Sequence, residues 1–318
     1  MNKKELHEIC CPECHSKKVY NKWKYHNNSC NFYVFWCGDC GFGWRYPFAS
    51  QNELKQQYNK QSLYELSSKN ENNIGFRKRV NRLCAINSNR GRLLDIGSGP
   101  GHFLNLARKY GWQVMGIEPR KEAAKYCKEH FGIKIHNGFL EDFTEDTCVY
   151  DVITAWDVLE HVSNHTQFFD QCIKMLKPGG IFSFSIPNAS GFPALIFKGR
   201  WRYVMPVHLN YFTMKYIYRF LSSRNLQLVH ADHTFKIHSL IQGVATYIPF
   251  KIDTNKLFEF GTHNNKQVDQ LKTKVKSLNH LSESNIVSSL RKFIFKINNL
   301  SFKCDKGDLV DFYCIKNN

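Results

Sequence analysis

Short apolar runs alternate with longer amphipathic segments through the middle of the chain. Runs of about five residues rich in Val, Ile and Leu indicate buried strands, and apolar positions three and four apart indicate helices between them. The predicted strands are Arg92–Ile96, Gln113–Glu118, Ile133–His136, Asp151–Trp156 and Gly180–Ile186. The predicted helices are Gly101–Tyr110, Lys121–Phe131 and Asn164–Leu176. This alternation predicts an α/β fold, a parallel sheet with helices on both faces.

The same alternation continues toward the C-terminus with one interruption. A helix Met214–Arg224 and a strand Leu226–His233 follow, and Leu309–Ile315 brings the predicted sheet to seven strands. An insertion at about 237–305 separates the last two strands, and its part from Val268 to Phe295 has a basic helical pattern. Such a segment suits a cap on the fold or contact with a membrane surface.

The first 48 residues have a different pattern. Aromatic and β-branched clusters at Val19–Tyr20, Trp23–Tyr25 and Phe32–Trp36 predict short strands. Two C-x-x-C sequences flank them, with the cysteines Cys11, Cys14, Cys37 and Cys40. Four thiolates at this spacing suit a tetrahedral Zn²⁺, so residues 1–48 are predicted to form a zinc ribbon stabilised by its metal. The alternative ligands nearby are Cys10, Cys30, His15 and His26.

Residues 49–90 are polar and are predicted to connect this ribbon to the larger part of the chain. Helical patterns cover Glu53–Tyr64 and Phe76–Ala85. We expect these helices to pack across the mouth of a ligand site as a lid. Residues 91–318, with the insertion, are predicted to form the second domain.

An acidic, glycine-rich turn follows the first strand of that domain. Asp95 lies at the strand end, and Gly97, Gly99 and Gly101 follow it. Glycines let backbone groups approach a ligand closely. A dinucleotide motif would need its third glycine at position 102, which is His102, and a carboxylate would repel a pyrophosphate. The cationic methyl donor S-adenosylmethionine (SAM) fits this turn better.

The later strands end in residues that suit other parts of SAM, because ligands of such sheets lie at the carboxyl ends of the strands. Glu118 is placed to accept both ribose hydroxyls, Glu141 or Asp142 to accept the adenine amino group, and Trp156 to lie near the adenine or the sulfonium. The predicted cofactor-binding set is Asp95, Gly97, Ser98, Gly99, Gly101, Glu118, Pro119, Leu140, Glu141, Asp142, Trp156 and Asp157.

Composition narrows the class of protein. The formal net charge is +17, and the first 90 residues carry +8 of it. This excess suits RNA, an anionic membrane or a phosphorylated substrate, or it is a lysine-rich background. No apolar run reaches the roughly 18 residues of a membrane span, and the start lacks a secretory leader, so we expect a soluble, cytoplasmic protein. Half of the 12 cysteines lie in the first 40 residues, which favours metal over disulfides in a reducing compartment.

Five sequence segments together resemble the successive motifs of class I SAM-dependent methyltransferases. They are Asp95–Gly101, Gly116–Pro119, Tyr150–Ile153, Asp157–Val162 and Leu176–Gly180. The resemblance covers about residues 90–235 and is strongest to the branch that includes ubiquinone-biosynthesis O-methyltransferases. It implies a SAM cofactor and a small-molecule acceptor, most often a hydroxyl oxygen of a secondary metabolite, a sugar or a quinone-like precursor. The N-terminal ribbon resembles a module fused to many bacterial members of this branch.

Two histidines are candidates for removing a proton from such a hydroxyl. His161 lies near the end of the fourth strand, and His208 follows the fifth. Asp157, Glu160 and His161 have the i, i+3, i+4 spacing of one helical face, which also suits a divalent cation, as the resemblance allows. The structural alternative for His161 is that Glu160 and His161 begin a helix, and for His208 that it is a hydrogen-bonded loop residue.

Two other functions remain open from the sequence. The segment Phe192–Tyr203 ends in cations interleaved with aromatics, which suits a phosphate, a sugar nucleotide or RNA, or a packed surface loop. An RNA methyltransferase would use this segment, the ribbon and the basic surface. A non-catalytic SAM-binding scaffold is the third hypothesis, and the intact turn with Glu118 argues against it.

Overall fold

The described part of the computed structural model covers residues 9–26, 30–49, 53, 73–234 and 307–317. The strands are β1 Val19–His26, β2 Asn31–Cys37, β3 Gly43–Tyr46, β4 Arg92–Ile96, β5 Gln113–Ile117, β6 Ile135–His136, β7 Tyr150–Ala155, β8 Leu176–Pro187, β9 Asn210–Tyr211, β10 Leu226–Thr234 and β11 Leu309–Lys316. The helices are α1 Ile74–Ile86, α2 His102–Lys109, α3 Lys121–Phe131, α4 His165–Met175, α5 Phe192–Phe197 and α6 Met214–Ser222.

A seven-stranded sheet forms the centre of the larger part, in the order β10-β11-β8-β7-β4-β5-β6. The strands from β8 to β6 run parallel, and β11 pairs antiparallel with both β8 and β10. The predicted α/β fold and its seven strands are confirmed. The chain order of the strands reverses at β4, because β5 lies on one side of it and β7 on the other. Ligands of such sheets bind beside this reversal.

Burial explains why the predicted elements form. In β4, Leu93 and Leu94 are fully buried, because helices cover both faces of a parallel strand. Phe182 and Phe184 of β8 and Phe312 of β11 are also fully buried, and the rings of Phe184 and Phe312 stack at 5.1 Å. These rings supply a large share of the apolar area removed from water.

The strand β8 begins earlier than its sequence indicates. Its predicted start was Gly180, but Leu176 already pairs with Tyr150 of β7. The register then shifts, so that Val152 pairs with Ile181. The extra residues form an irregularity at which Lys177 pairs with Asp151 at 2.9 Å. A proline and two glycines in this segment conceal the strand from pattern analysis.

A second, antiparallel sheet contains the ribbon strands and one strand from the larger part. Its order is β1-β2-β3-β9, with Gly43 opposite Tyr211 and Trp44 opposite Asn210. The strands β1 and β2 were predicted, whereas β3 and the two-residue β9 were not. Phe42 continues this contact, since its ring lies 4.9 Å from that of Tyr216 on α6. The ribbon and the larger part therefore share both a sheet and an apolar core.

Two predicted regions lie wholly or mostly outside the described residues. The helix Glu53–Tyr64 lies outside the described residues apart from Glu53, and so does the insertion 237–305. The second connector helix is present as α1, close to its predicted bounds. None of the described helices has the length and apolar character that crossing a membrane requires.

Candidate active site

The glycine-rich turn joins the end of β4 to the start of α2. Gly97, Gly99 and Gly101 all have positive φ angles, of 70°, 53° and 82°. A Cβ on Gly101 would lie 2.1 Å from the sulfur of Cys127 on α3. The Gly97 and Ser98 amides donate to the Ile117 carbonyl at 2.8 and 3.0 Å, which fastens the turn to β5. Only glycine satisfies both the backbone angle and the close packing at position 101.

Glu118 lies beside this turn and is 2% exposed. One carboxylate oxygen accepts from the Gly99 amide at 2.7 Å. The other accepts from the Arg120 amide at 2.9 Å and from its Nε at 3.0 Å. The side chain thus connects the glycine turn with the end of β5, the two segments that the sequence assigned to the methionine and ribose ends of SAM.

Asp95 is a buried carboxyl group at the end of β4, also 2% exposed. Desolvation raises its pKa to about 7, while the hydrogen bond from the Thr154 hydroxyl, at 2.6 Å, opposes that shift. The positive charge of Arg79 lowers the pKa and the negative charge of Glu118 raises it. A cation bound nearby would favour the ionised carboxylate.

The remaining predicted cofactor residues have more varied positions. Leu140 is buried, whereas Glu141 and Asp142 are exposed on the same single 3-10 turn. Asn137 donates to the carbonyls of Glu118 and Pro119. The Trp156 ring lies in the core below α1 and α2, with the Arg79 guanidinium 4.3 Å from its centre. Direct contact of Leu140, Glu141, Asp142 and Trp156 with SAM therefore stays a prediction.

The two predicted histidines lie together although they are distant in sequence. Their ring centres are 4.7 Å apart and nearly perpendicular. One ligand atom each of Glu160, His161 and His208 lies within 4.8 Å of the others. His161 and Glu160 end a 3-10 turn, Leu159–His161, that follows β7, so the pair lies at the carboxyl edge of the central sheet.

Hydrogen bonding orients the His161 ring. Its Nδ1 lies 2.9 Å from the Val207 carbonyl, which can only accept, so Nδ1 carries the proton. In the neutral ring the basic lone pair is then on Nε2. Desolvation lowers the pKa of His161 despite this bond. Desolvation and then the charge of His161 hold the pKa of His208 well below its ordinary value. Both rings are therefore neutral near pH 7.

The structure corrects one feature of the predicted cation site. Asp157 has a left-handed backbone, with φ of 58°, and its carboxylate accepts from the Ser185 hydroxyl at 3.0 Å. It therefore precedes the turn instead of sharing a helical face with Glu160 and His161. His208 takes the third position in the cluster. Sequence spacing alone could not identify this group, because His208 arrives from a separate loop.

The four predicted cysteine ligands converge in the ribbon. The sulfurs of Cys11 and Cys40 are 3.6 Å apart, those of Cys14 and Cys37 are 3.5 Å apart, and all four lie within 4.8 Å of one another. Zn–S bonds of about 2.3 Å put the sulfurs of a tetrahedral site about 3.8 Å apart. The hydrogen bond with Cys40 lowers the pKa of Cys11. The amides of Cys40 and Phe42 donate to sulfur at 3.4 Å. This geometry fits a zinc ion.

The cysteine cluster is attached to the helices of the larger part. The Tyr216 hydroxyl donates to the Glu13 carboxylate at 2.7 Å, and Nε2 of His165 lies 2.6 Å from that hydroxyl. Glu13 stands between the first two cysteines of the cluster. Sequence analysis did not identify this network, because Tyr216 and His165 look like ordinary core positions of α6 and α4.

The segment with interleaved cations and aromatics is packed against the ribbon. Trp201 is 1% exposed, with its ring 5.9 Å from that of Trp23 and 5.1 Å from that of Tyr203. Tyr203 in turn stacks on His208 at 6.0 Å. The aromatics of this segment therefore form a core between the ribbon and the histidine pair, and Trp201 offers no face for stacking on a base.

Comparison with known proteins identifies the family of this chain. The chain belongs to the methyltransferase domain family, whose model matches residues 70–231. This match agrees with the class that the sequence motifs predicted, the SAM-dependent methyltransferases.

Individual relatives match about a third of the chain. Over 121 residues it is 36% identical to the ubiquinone biosynthesis O-methyltransferase of Nitrobacter winogradskyi, covering 35% of this chain and 46% of that protein. Over 106 residues it is 32% identical to the enzyme of the same name from Shewanella halifaxensis, covering 30% and 44%. The match thus spans less than half the length of these relatives. A SAM-dependent methyltransferase structure from Archaeoglobus fulgidus aligns with a TM-score of 0.45 at 16% identity, covering 84% of this chain and all of that one.

Proposed function

We propose that this protein transfers the methyl group of SAM to a hydroxyl oxygen of a small-molecule acceptor. The observation that carries the proposal is the neutral, oriented His161–His208 pair at the same sheet edge as the glycine turn. Methyl transfer is an in-line displacement at a sulfonium, so the enzyme must align the acceptor oxygen and remove its proton. The relatives named for ubiquinone biosynthesis act on oxygen, which favours oxygen here.

His161 is the proposed general base. The Val207 carbonyl holds the Nδ1 proton, so Nε2 carries the lone pair that would take the hydroxyl proton. Burial keeps the ring neutral and ready to accept that proton near pH 7. His208, packed against His161, would orient the acceptor hydroxyl or stabilise the imidazolium that forms.

The glycine turn, Asp95 and Glu118 are proposed to bind SAM. Asp95 would attract its ammonium group, and Glu118 would exchange its present contact with Gly99 for the ribose hydroxyls. The other predicted members of the set, from Leu140 to Asp142, would border the adenine.

A divalent cation is a second proposal for the same cluster. Glu160, His161 and His208 are a carboxylate and two imidazoles, a donor set that suits Zn²⁺, Mn²⁺ or Fe²⁺. When bound, such an ion would lower the pKa of the acceptor hydroxyl. His161 would then act as a ligand instead of as the base.

We also propose that the ribbon cysteines hold one structural Zn²⁺. The support is the sulfur spacing and the two amide donors to sulfur. A closed set of four cysteines leaves no open coordination position, so this ion would stabilise the fold and take no part in chemistry.

The test uses ¹³C-methyl SAM with a catechol (3,4-dihydroxybenzoate), a phenol and a nucleotide sugar as probe acceptors. A methoxy carbon signal in the parent, lost in His161→Gln while SAM still binds, is the expected result. Methyl transfer to nitrogen or to RNA in place of these acceptors would refute the proposed acceptor class. Full activity after removal of divalent ions by a chelator would refute the cation proposal and leave the base.

A further inference from the structure

The short loop that carries His208 is held from two sides. On one side it meets the turn after β7, where the Leu209 amide donates to the Glu160 carbonyl at 2.7 Å and the Val207 carbonyl accepts from His161. The Asn210 side chain adds bonds to the carbonyls of Leu159 and Val162. The orientation of both histidines thus depends on the position of the segment Pro206–Leu209.

On the other side the loop meets one residue of the ribbon, Arg45 on β3. Its guanidinium donates to the Pro206 carbonyl at 2.6 Å, and its amide donates to the Leu209 carbonyl at 2.9 Å. Arg45 therefore forms hydrogen bonds with the first and last residues of the segment that bears His208. The side chain and backbone of one residue define both ends of this loop.

The burial of Arg45 makes this contact strong. The residue is 3% exposed, and its guanidinium lies 5.0 Å from the centre of the Phe32 ring and 3.7 Å from the Glu53 carboxylate. A charged donor in a dry environment makes a stronger hydrogen bond than a neutral one. Burying the charge of an arginine costs desolvation free energy, so an apolar residue at this position would stabilise the core of the ribbon more.

We propose that Arg45 is a positioning residue for the His161–His208 pair. It acts through the Pro206–Leu209 segment, so the ribbon takes part in building the acceptor side of the site. The inference rests on the proposed function only for the role of the histidines; the positioning itself is a property of the folded chain.

The test compares Arg45→Met with the matched control Tyr216→Phe. Each variant removes one side-chain hydrogen bond between the ribbon and the larger part, but only Arg45 contacts Pro206–Leu209, the histidine loop. The readouts are the ring tautomers of ¹⁵N-labelled histidines by NMR at about pH 8, where unperturbed imidazoles are neutral, and amide exchange of Leu209. Neither readout needs an acceptor or SAM.

In the parent and in Tyr216→Phe we expect His161 as the Nδ1–H tautomer with a protected Leu209 amide. In Arg45→Met, loss of the Val207 contact should shift His161 toward the Nε2–H tautomer that solvent favours, and Leu209 should exchange about tenfold faster. Arg45→Lys keeps a charged donor and should restore part of the parental pattern, and it serves as the variant if Arg45→Met does not fold.

Two results would overturn the proposal. One is an unchanged His161 tautomer and unchanged Leu209 protection in the arginine variants. The other is an equal loss in Tyr216→Phe, because Arg45 would then act only through general stability of the ribbon. Absence of SAM binding would refute the proposed function but leave these readouts intact, so the two failures are distinguishable.

Discussion

The two halves of the site are built in different ways. The proposed cofactor half is centred on one continuous turn, in which Gly97, Gly99 and Gly101 follow directly on a buried strand and Glu118 lies beside them. The proposed acceptor half combines the turn at His161, the loop at His208 and the ribbon residue Arg45, three segments far apart in sequence. The first half depends on local backbone geometry, and the second depends on tertiary packing. Substitutions in one half should therefore leave the other largely intact.

The largest effect should separate chemistry from cofactor binding. His161→Gln removes the proposed base and should lower the methyl-transfer rate by about 100- to 10,000-fold. SAM affinity should stay within about twofold of the parent, because His161 belongs to the acceptor half. Single-turnover kinetics and calorimetry measure the two quantities. Equal losses of rate and SAM affinity would show that the halves are not separate.

Removing a ligand of the proposed ribbon zinc should destabilise more than the ribbon. Cys11→Ser should abolish zinc binding and lower the free energy of unfolding by about 4 kcal/mol or more. The shared strand pairing at β9 should transmit this loss to the histidine loop. Zinc content and denaturant unfolding provide the measurements.

The control for that change is Cys10→Ser, because Cys10 is exposed and lies outside the cysteine cluster. It should keep one zinc per chain and parental stability. Zinc retained in Cys11→Ser would assign the metal to another ligand set.

A glycine pair tests the local character of the cofactor half. Gly101→Ala combines a left-handed backbone with a clash against Cys127, so it should cost about 3 kcal/mol of stability and abolish SAM binding. Gly132→Ala has the same backbone handedness, with φ of 61°, but no atom within 4 Å of the added Cβ. It should cost only about 1 kcal/mol. Thermal unfolding measures both, and equal costs would exclude the clash as the cause.

The smallest effect concerns pH. Because burial raises the pKa of Asp95 to about 7, the group is largely neutral at lower pH and ionised above it. SAM carries an ammonium group, so its affinity should rise by about tenfold from below to above that pKa. Calorimetry across this range, with Asp95→Asn as the comparison, measures the effect. A pH-independent parent would separate Asp95 from the ammonium.

The same shift has a definite sign for stability. The folded pKa of Asp95 lies above the unfolded value of about 3.9, so protonation favours the folded state. This contribution is present at low pH and is lost as the pH rises toward 7. Asp95→Asn should therefore gain stability relative to the parent between those values.

The sequence signals of the proposed cofactor half are local, so the turn that carries it was predictable. The glycine spacing, Asp95 and Glu118 are readable within single elements, and the seven strands lie close to their predicted positions apart from the early start of β8. The acceptor half was predicted only as separate residues. The sequence identified both His161 and His208 as candidates. No local pattern could show that their rings are in contact, or that His208 and not Asp157 joins Glu160 and His161 in the cluster.

The ribbon illustrates the same limit. Its four cysteines have a regular spacing, so their convergence was predictable. Two other features depend on contacts between distant segments. They are the two-residue strand β9 and the hydrogen bond from Arg45 to the Pro206 carbonyl. Such contacts appear only when the whole chain is folded.

Calorimetric titration of SAM into the full-length chain and into Arg45→Met tests the division of the site most directly. We expect one SAM per chain with the same affinity in both proteins, since the glycine turn is independent of the ribbon contact. A loss of SAM binding in Arg45→Met would contradict the separation of the two halves, and no binding to the folded parent would contradict the assignment of SAM to the turn after β4.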